Sequence, residues 1–137
     1  MKIYTRDGDD GTTGLLYGQR VPKDSPQPSA YGDVDEAQAT IGLARAVATQ
    51  EVHEILLVIE SELWIVMAEL ACSPGQMNKL TEAGNRISSS QVKNLEELID
   101  QITEKYEQPT EFVLPGGSEV SARLDLARAV TRRAERA

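Results

Sequence analysis

The stretch EVHEILLVIESELWIVMAELAC, Glu51–Cys72, decides the fold. Val52, Ile55, Leu56, Ile59, Leu63, Val66, Met67 and Leu70 recur at intervals of three and four, the spacing that lines one face of an α-helix. Its longest apolar runs, Ile55–Ile59 and Leu63–Ala68, are separated by Glu60, Ser61 and Glu62. Neither run is long enough to cross a bilayer. Ser73-Pro74-Gly75 ends the helix.

Three further segments carry the same periodicity. Before the central helix, Val34, Ala37, Ile41, Ala44 and Ala48 form a narrow, mostly small-residue face over about Tyr31–Ala48. Such a face permits close helix–helix approach, and Asp33 and Asp35 are placed in the first turn, where carboxylates suit the helix dipole. After it, Val92, Leu95, Ile99, Ile102 and Tyr106 predict a helix over Ser89–Glu107, with Ser88 and Gln91 as a capping box and Pro109 as its stop. A last helix begins after Gly116-Gly117 with Ser118 as N-cap and buries Val120, Leu124, Ala127, Val130 and Ala134. The one strand signal is Glu111–Leu114. Four long amphipathic helices in one small domain predict an all-α, up-and-down helical bundle of the ferritin-like kind. The expected division is a nucleotide-binding segment over residues 1–30, full of glycine and proline, and the bundle over 31–137; Met77–Ser90 reads as a polar linker.

Composition narrows the function. A net charge of −8 argues against a general nucleic-acid binder. No apolar segment follows Met1-Lys2-Ile3-Tyr4, so neither a secretory signal nor a membrane anchor is expected. Cys72 is the only cysteine, which excludes an intrachain disulfide and fits a cytoplasmic protein. The charge is uneven: residues 49–111 hold four cations against twelve anions, whereas residues 112–137 hold five arginines against three anions.

Three constellations carry chemistry. The first is Tyr4-Thr5-Arg6-Asp7-Gly8-Asp9-Asp10-Gly11-Thr12-Thr13-Gly14. Glycines at 8, 11 and 14 let backbone N–H groups face an anion at close range, threonine hydroxyls add donors, and Arg6 and Lys23 add charge. Asp9 and Asp10 offer oxygens to a hard cation such as Mg²⁺. This is no Walker A loop, because the Gly-Lys-Ser/Thr ending is missing; the competing reading is a flexible glycine-rich terminus. The second is Arg128, Arg132 and Arg136, four apart on one helix face and suited to phosphate oxygens, with Arg133 and Glu135 beside them. Glu135 either holds an arginine or meets a ribose hydroxyl, and the whole stripe has a plain surface reading too. The third is Glu111-Phe112-Val113-Leu114-Pro115-Gly116-Gly117-Ser118, whose single phenylalanine is either a core residue or the wall of a flat apolar ligand site. His53 and Cys72 lack partners at metal-ligand or nucleophile–base spacing, so no protein metal site is assigned. Trp64 and Met67 read as core or as a subunit contact.

Taken together these segments resemble the PduO-type ATP:cob(I)alamin adenosyltransferases, the corrinoid adenosyltransferase family. Lys2–Arg6 with Gly8–Leu15, Ala30-Tyr31-Gly32 with Val34-Asp35-Glu36, Phe112–Gly117, and Arg132-Arg133-Ala134-Glu135-Arg136 match its signatures in order over nearly the whole chain. The resemblance implies an enzyme that transfers the 5′-deoxyadenosyl group of ATP to the cobalt of a reduced cobalamin and releases triphosphate, with Mg²⁺ as companion of ATP. It implies that Thr5, Arg6, Asp7, Gly8, Thr13, Gly14 and Lys23 hold the triphosphate, and that Arg132, Arg133, Glu135 and Arg136 complete the nucleotide site. Asp35 and Arg128 match a pair that bridges subunits of a homotrimer, and Phe112 matches an aromatic that packs on the corrin's lower face. The implied partners are ATP, a reduced corrinoid, a corrinoid reductase and a cobalamin-dependent enzyme. Two residues depart from the pattern: Asp7 stands where a non-acidic residue is usual, and Asp125 where a histidine is common. Relatives usually continue into a fifth helix with an Asn-Arg-Leu-Ser-Asp-like motif, which lies outside these 137 residues. The alternative to catalysis is a helical module that binds ATP or a corrinoid without turnover.

Overall fold

The computed structural model describes residues 1–137. Its long helices are α1 (Pro26–Arg45), α2 (Gln50–Ala71), α4 (Ser89–Lys105) and α5 (Glu119–Arg136), with a short α3 (Met77–Glu82) between the second and the fourth. Contacts at the helix ends fix their directions. Ile87 N–H donates to Glu69 at 2.5 Å, and Lys105 meets Glu51 at 2.6 Å, so α4 runs antiparallel to α2. Arg133, near the end of α5, pairs with Asp33 and Glu36 in the middle of α1, while Ala127, earlier on α5, packs with Ile41 and Ala44, later on α1, so these two helices are antiparallel as well. The result is an up-and-down bundle.

Helices α1, α2 and α5 share the core. Ile41 and Ala44 of α1, Leu56 of α2 and Ala127 of α5 form its buried centre, flanked by Val52, Ile59, Leu63 and Leu124. Alanines 37, 44 and 127 are nearly inaccessible, because the small-residue face of α1 lets both neighbours approach closely. Helix α4 is different. It buries no residue, and Val92, Leu95, Ile99 and Ile102 stay substantially exposed beside an apolar cleft of about 450 Å³ shared with Ile55, Val58 and Ile59 of α2.

Four local expectations are corrected. Helix α1 starts at Pro26 rather than Tyr31: a proline in the first turn gives up only an N–H that would be unpaired anyway, so Pro26 begins the helix instead of breaking it. Asp33 and Asp35 consequently lie beyond the first turn. Residues Glu111–Leu114 form no strand. The two strands present are β1 (Thr12–Gly14) and β2 (Arg20–Pro22), paired antiparallel with Gly14 opposite Arg20. Tyr17 and Gly18, at φ +68° and +122°, make the reversal between them. The expected polar linker contains α3, whose Leu80 is only 1% exposed. No helix is long and apolar enough to cross a membrane.

The hairpin belongs to the bundle end. Leu16 N–H donates to Ala71 O at 2.8 Å, Ser73 N–H to Leu16 O at 2.9 Å, and Gln19 N–H to Ser73 Oγ at 3.1 Å. The Gln27 amide donates to both Leu70 O and Cys72 O at 2.9 Å. The Leu16 and Gln27 donors satisfy carbonyls that the end of α2 leaves without helical partners. Leu15 and Cys72 are buried beside this seam, and Lys79 of α3 lies 5.3 Å from the Tyr17 ring centroid.

Candidate functional site

The glycine-rich segment is an ordered, wholly polar cleft. Its walls are Thr5, Asp7, Gly8, Thr12, Thr13, Gly14, Arg20 and Lys23, enclosing about 330 Å³ with no hydrophobic residue among them. Turns Asp9 N–H to Arg6 O and Gly11 N–H to Gly8 O, both 3.1 Å, set the path of the chain, and Lys23 N–H closes it on Gly11 O at 2.9 Å. Arg6 and Gly11 hold left-handed conformations, φ +67° and +85°. For arginine that geometry is sparsely populated. A β-carbon at Gly8 would lie 3.0 Å from Lys23 Nζ and from Thr12 O, so glycine is what lets the lysine cross the loop.

Asp10 holds the far turn. Its Oδ1 accepts from Thr12 N–H at 2.9 Å and from Thr12 Oγ1 at 2.7 Å. The Thr12 hydroxyl, then the Thr12 amide and the Arg20 charge, hold this carboxyl below the ordinary carboxylate value. Asp10 is therefore committed inside the loop. No group of three metal-ligating side chains forms anywhere in the chain. Asp7 is the one acid on the cleft wall, a donor set that would suit a Mg²⁺ arriving on a polyphosphate and needing only one or two protein oxygens.

The arginines of α5 divide into two kinds. Arg128 is held by Asp125 at 2.9 Å, and Arg133 by Glu36 and Asp33. The hydrogen bond that Arg133 donates to Glu36, with the carboxylate's charge, raises the Arg133 pKa above its ordinary value. Arg133, grouped by the sequence with the nucleotide-binding residues, is thus engaged within its own chain. Arg132 and Arg136 have no carboxylate partner, and neither do Arg6, Arg20 and Lys23. Half of the fourteen lysines and arginines are unpaired in a chain of net charge −8, and five of those seven lie on the cleft loop or on the last turns of α5. The cleft loop is seated where α1 begins and α2 ends, and the last turns of α5 run toward that end, Arg133 being level with Asp33 and Glu36 of α1. Glu135 is exposed and makes no ion pair.

Asp35 and Arg128 do not meet within one chain: Asp35 is exposed without an ion-pair partner, and Arg128 has turned to Asp125. The core reading of Phe112 fails, since its side chain is fully exposed, as are most of Val113 and Leu114. Val113, Leu114 and Pro115 share a recess of about 320 Å³ with Leu124, Asp125 and Arg128, so the aromatic loop and Arg128 adjoin. Trp64, 68% exposed, is no core residue either. His53 is half-buried against Arg45, 3.3 Å from its guanidinium, and has a structural place. The residue that periodicity and motif reading missed is Arg20. Only the hairpin register, which puts Arg20 across from Gly14, brings it to the cleft.

Comparison with known proteins adds a second line of observation. A family model described as cobalamin adenosyltransferase matches residues 3–137. The corrinoid adenosyltransferase PduO of Salmonella typhimurium is 42% identical over 137 residues, 99% of this chain and 40% of that protein. A corrinoid adenosyltransferase of Citrobacter freundii is 40% identical over 98% of this chain and 76% of its own length. This chain therefore spans less than half of one relative and about three quarters of the other. Among solved structures, a PduO-type ATP:corrinoid adenosyltransferase variant from Lactobacillus reuteri, complexed with cobalamin and ATP, superposes with a TM-score of 0.86 at 31% identity, over 98% of this chain and 75% of that one.

Proposed function

Because this chain belongs to the cobalamin adenosyltransferase family, we propose that it transfers the 5′-deoxyadenosyl group of ATP to the cobalt of a reduced corrinoid. The observation that carries the proposal is the polar cleft of Thr5–Gly14 and Lys23, lined by unpaired cations and set at the bundle end toward which the last turns of α5, with Arg132 and Arg136, run. The reaction asks little acid–base chemistry of the protein. Cobalt(I) brings its own electron pair, attacks C5′ and forms the Co–C bond, while the C5′–O pair departs on triphosphate. What the chain supplies is position and stabilisation of the leaving charge. Backbone amides and hydroxyls of the loop, with Lys23 and Arg6, meet the phosphates, and Arg132, Glu135 and Arg136 complete the nucleotide site. Mg²⁺ would neutralise the polyphosphate, with Asp7, the one acid on the cleft wall, to hold it.

Phe112, Val113 and Leu114 supply the apolar wall for the corrin. An exposed aromatic costs free energy in water, and a flat macrocycle is a surface on which it regains contact. By this reading Asp35 of a neighbouring copy competes with Asp125 for Arg128, in a homotrimer whose sites lie between subunits, and the exposed Trp64 is a subunit contact. The setting is the cytoplasm, with a corrinoid reductase upstream and a cobalamin-dependent enzyme downstream. The test is direct. With ATP, Mg²⁺ and chemically reduced cobalamin, the purified protein should convert the absorbance spectrum to that of adenosylcobalamin; ATP binding with no conversion would leave a non-catalytic binding module in its place.

A further inference from the structure

We propose that Arg20 is a positioning residue for the triphosphate cleft, acting through Thr12 and the Asp7 carbonyl to hold the loop in its binding shape before ligand arrives. The inference rests on the nucleotide-binding role proposed above and adds a residue that no signature of the loop contains.

The geometry is that of a fork closed on the loop. Arg20 Nε and Nη2 both donate to Thr12 Oγ1, at 3.1 and 2.9 Å. Nη2 also donates to Asp7 O at 2.7 Å and to Thr12 O at 3.3 Å. One guanidinium edge thus joins the two arms of the loop, Asp7 before the turn and Thr12 after it. Thr12 Oγ1 in turn donates to Asp10 at 2.7 Å, so Arg20, Thr12 and Asp10 form a continuous chain of donors and acceptors. The hairpin ladder fixes the root of the arginine opposite Gly14, and the hairpin itself is stitched to the end of α2.

An arginine without a carboxylate partner, lining a phosphate-sized cleft, would ordinarily be taken for a phosphate ligand. Its hydrogen bonds argue otherwise: they all run to the loop itself. The planar edge is what the task requires: Nε and Nη2 converge on Thr12 Oγ1 while Nη2 also reaches Asp7 O, and a lysine offers one nitrogen on a flexible stem where this rigid edge offers two. A loop held this way loses less freedom when it closes on the polyphosphate, which strengthens binding without a new ligand contact.

The experiment compares Arg20→Ala, Arg20→Lys, Thr12→Val and the double change Arg20→Ala/Thr12→Val. ATP affinity is measured by calorimetry, KM and kcat by the adenosylcobalamin spectrum, and hydrogen exchange of residues 8–13 in ligand-free protein. Arg20→Ala should raise KM for ATP by about thirtyfold, the scale of a charge-assisted hydrogen bond lost, and lower kcat far less. Arg20→Lys should recover only part of the loss. The double variant should be no worse than the weaker-binding single variant, and the amides of residues 8–13 should exchange faster without ligand. Additive losses with unchanged exchange would make Arg20 a direct phosphate ligand and overturn the proposal, as would full rescue by lysine. Failure of the unaltered protein to bind ATP would sink the function proposed above, while the ligand-free exchange would still decide whether Arg20 braces the loop.

Discussion

The two halves of the candidate site are built in opposite ways. The cleft of residues 5–23 is tied by Asp10, Thr12, Arg20 and the backbone of Lys23, and is seated on the end of α2. The loop over residues 107–117 makes no hydrogen bond at all and extends Phe112, Val113 and Leu114 into solvent. The contrast follows from ligand chemistry. A polyphosphate is recognised by many directional donors, which must be aimed in advance. A flat apolar macrocycle is recognised by area, which asks for an exposed surface and little direction.

Phe112→Ala puts the contrast to its hardest test. It should lower kcat for adenosylcobalamin formation by about a hundredfold, roughly 2.7 kcal/mol in the barrier, while ATP affinity and melting temperature stay close to those of the unaltered protein. A fall in melting temperature would instead mean that the side chain is packed in solution. Gly8→Ala attacks the other half. Its β-carbon would meet Thr12 O, a backbone atom that cannot swing aside, and would push Lys23 away. Overpacking of this kind costs about 1–3 kcal/mol, so ATP affinity should fall by about tenfold in calorimetry, with the corrinoid KM unmoved.

The smallest effect concerns pH. Asp10 has a depressed carboxyl pKa in the folded chain, so the stability it lends the loop is complete above the ordinary value of 3.8 and is lost as pH falls through the depressed one. Protection of the Thr12 amide, relative to its intrinsic exchange rate at each pH, should fall below about pH 3.8 in the native protein, and Asp10→Asn should remove that acid step. An acid step that survives in Asp10→Asn would assign it to another carboxylate.

What could be read from the sequence was what repeats or lies close along the chain. The period of α2 and the spacing of Arg128, Arg132 and Arg136 are local facts, and the helices followed from them. The glycine loop was legible for the same reason, because its donors are neighbours. The hairpin was not, since two three-residue strands are too short for alternation to register. Leu80 was hidden as one apolar residue in a polar stretch, and it is buried because α3 folds back on α2. The fates of Arg20 and Arg133 needed tertiary information. One depends on the register of Gly14 with Arg20, the other on α5 lying antiparallel to α1.

The stitching of Leu16 and Gln27 onto the last carbonyls of α2, and of Gln19 onto the Ser73 hydroxyl just beyond, has a kinetic meaning as well. The Ala71 carbonyl cannot be released without freeing the hairpin, the hairpin cannot swing away without stripping Ala71 and Ser73 of their partners, and Gln27 ties the flanking carbonyls to α1. Fraying of the last turn of α2 and opening of the cleft are therefore one cooperative event, a single unit of local unfolding. A polyphosphate gripped by the loop would raise the barrier to that event, and so protect amides near Leu70 and Ser73 that it never touches.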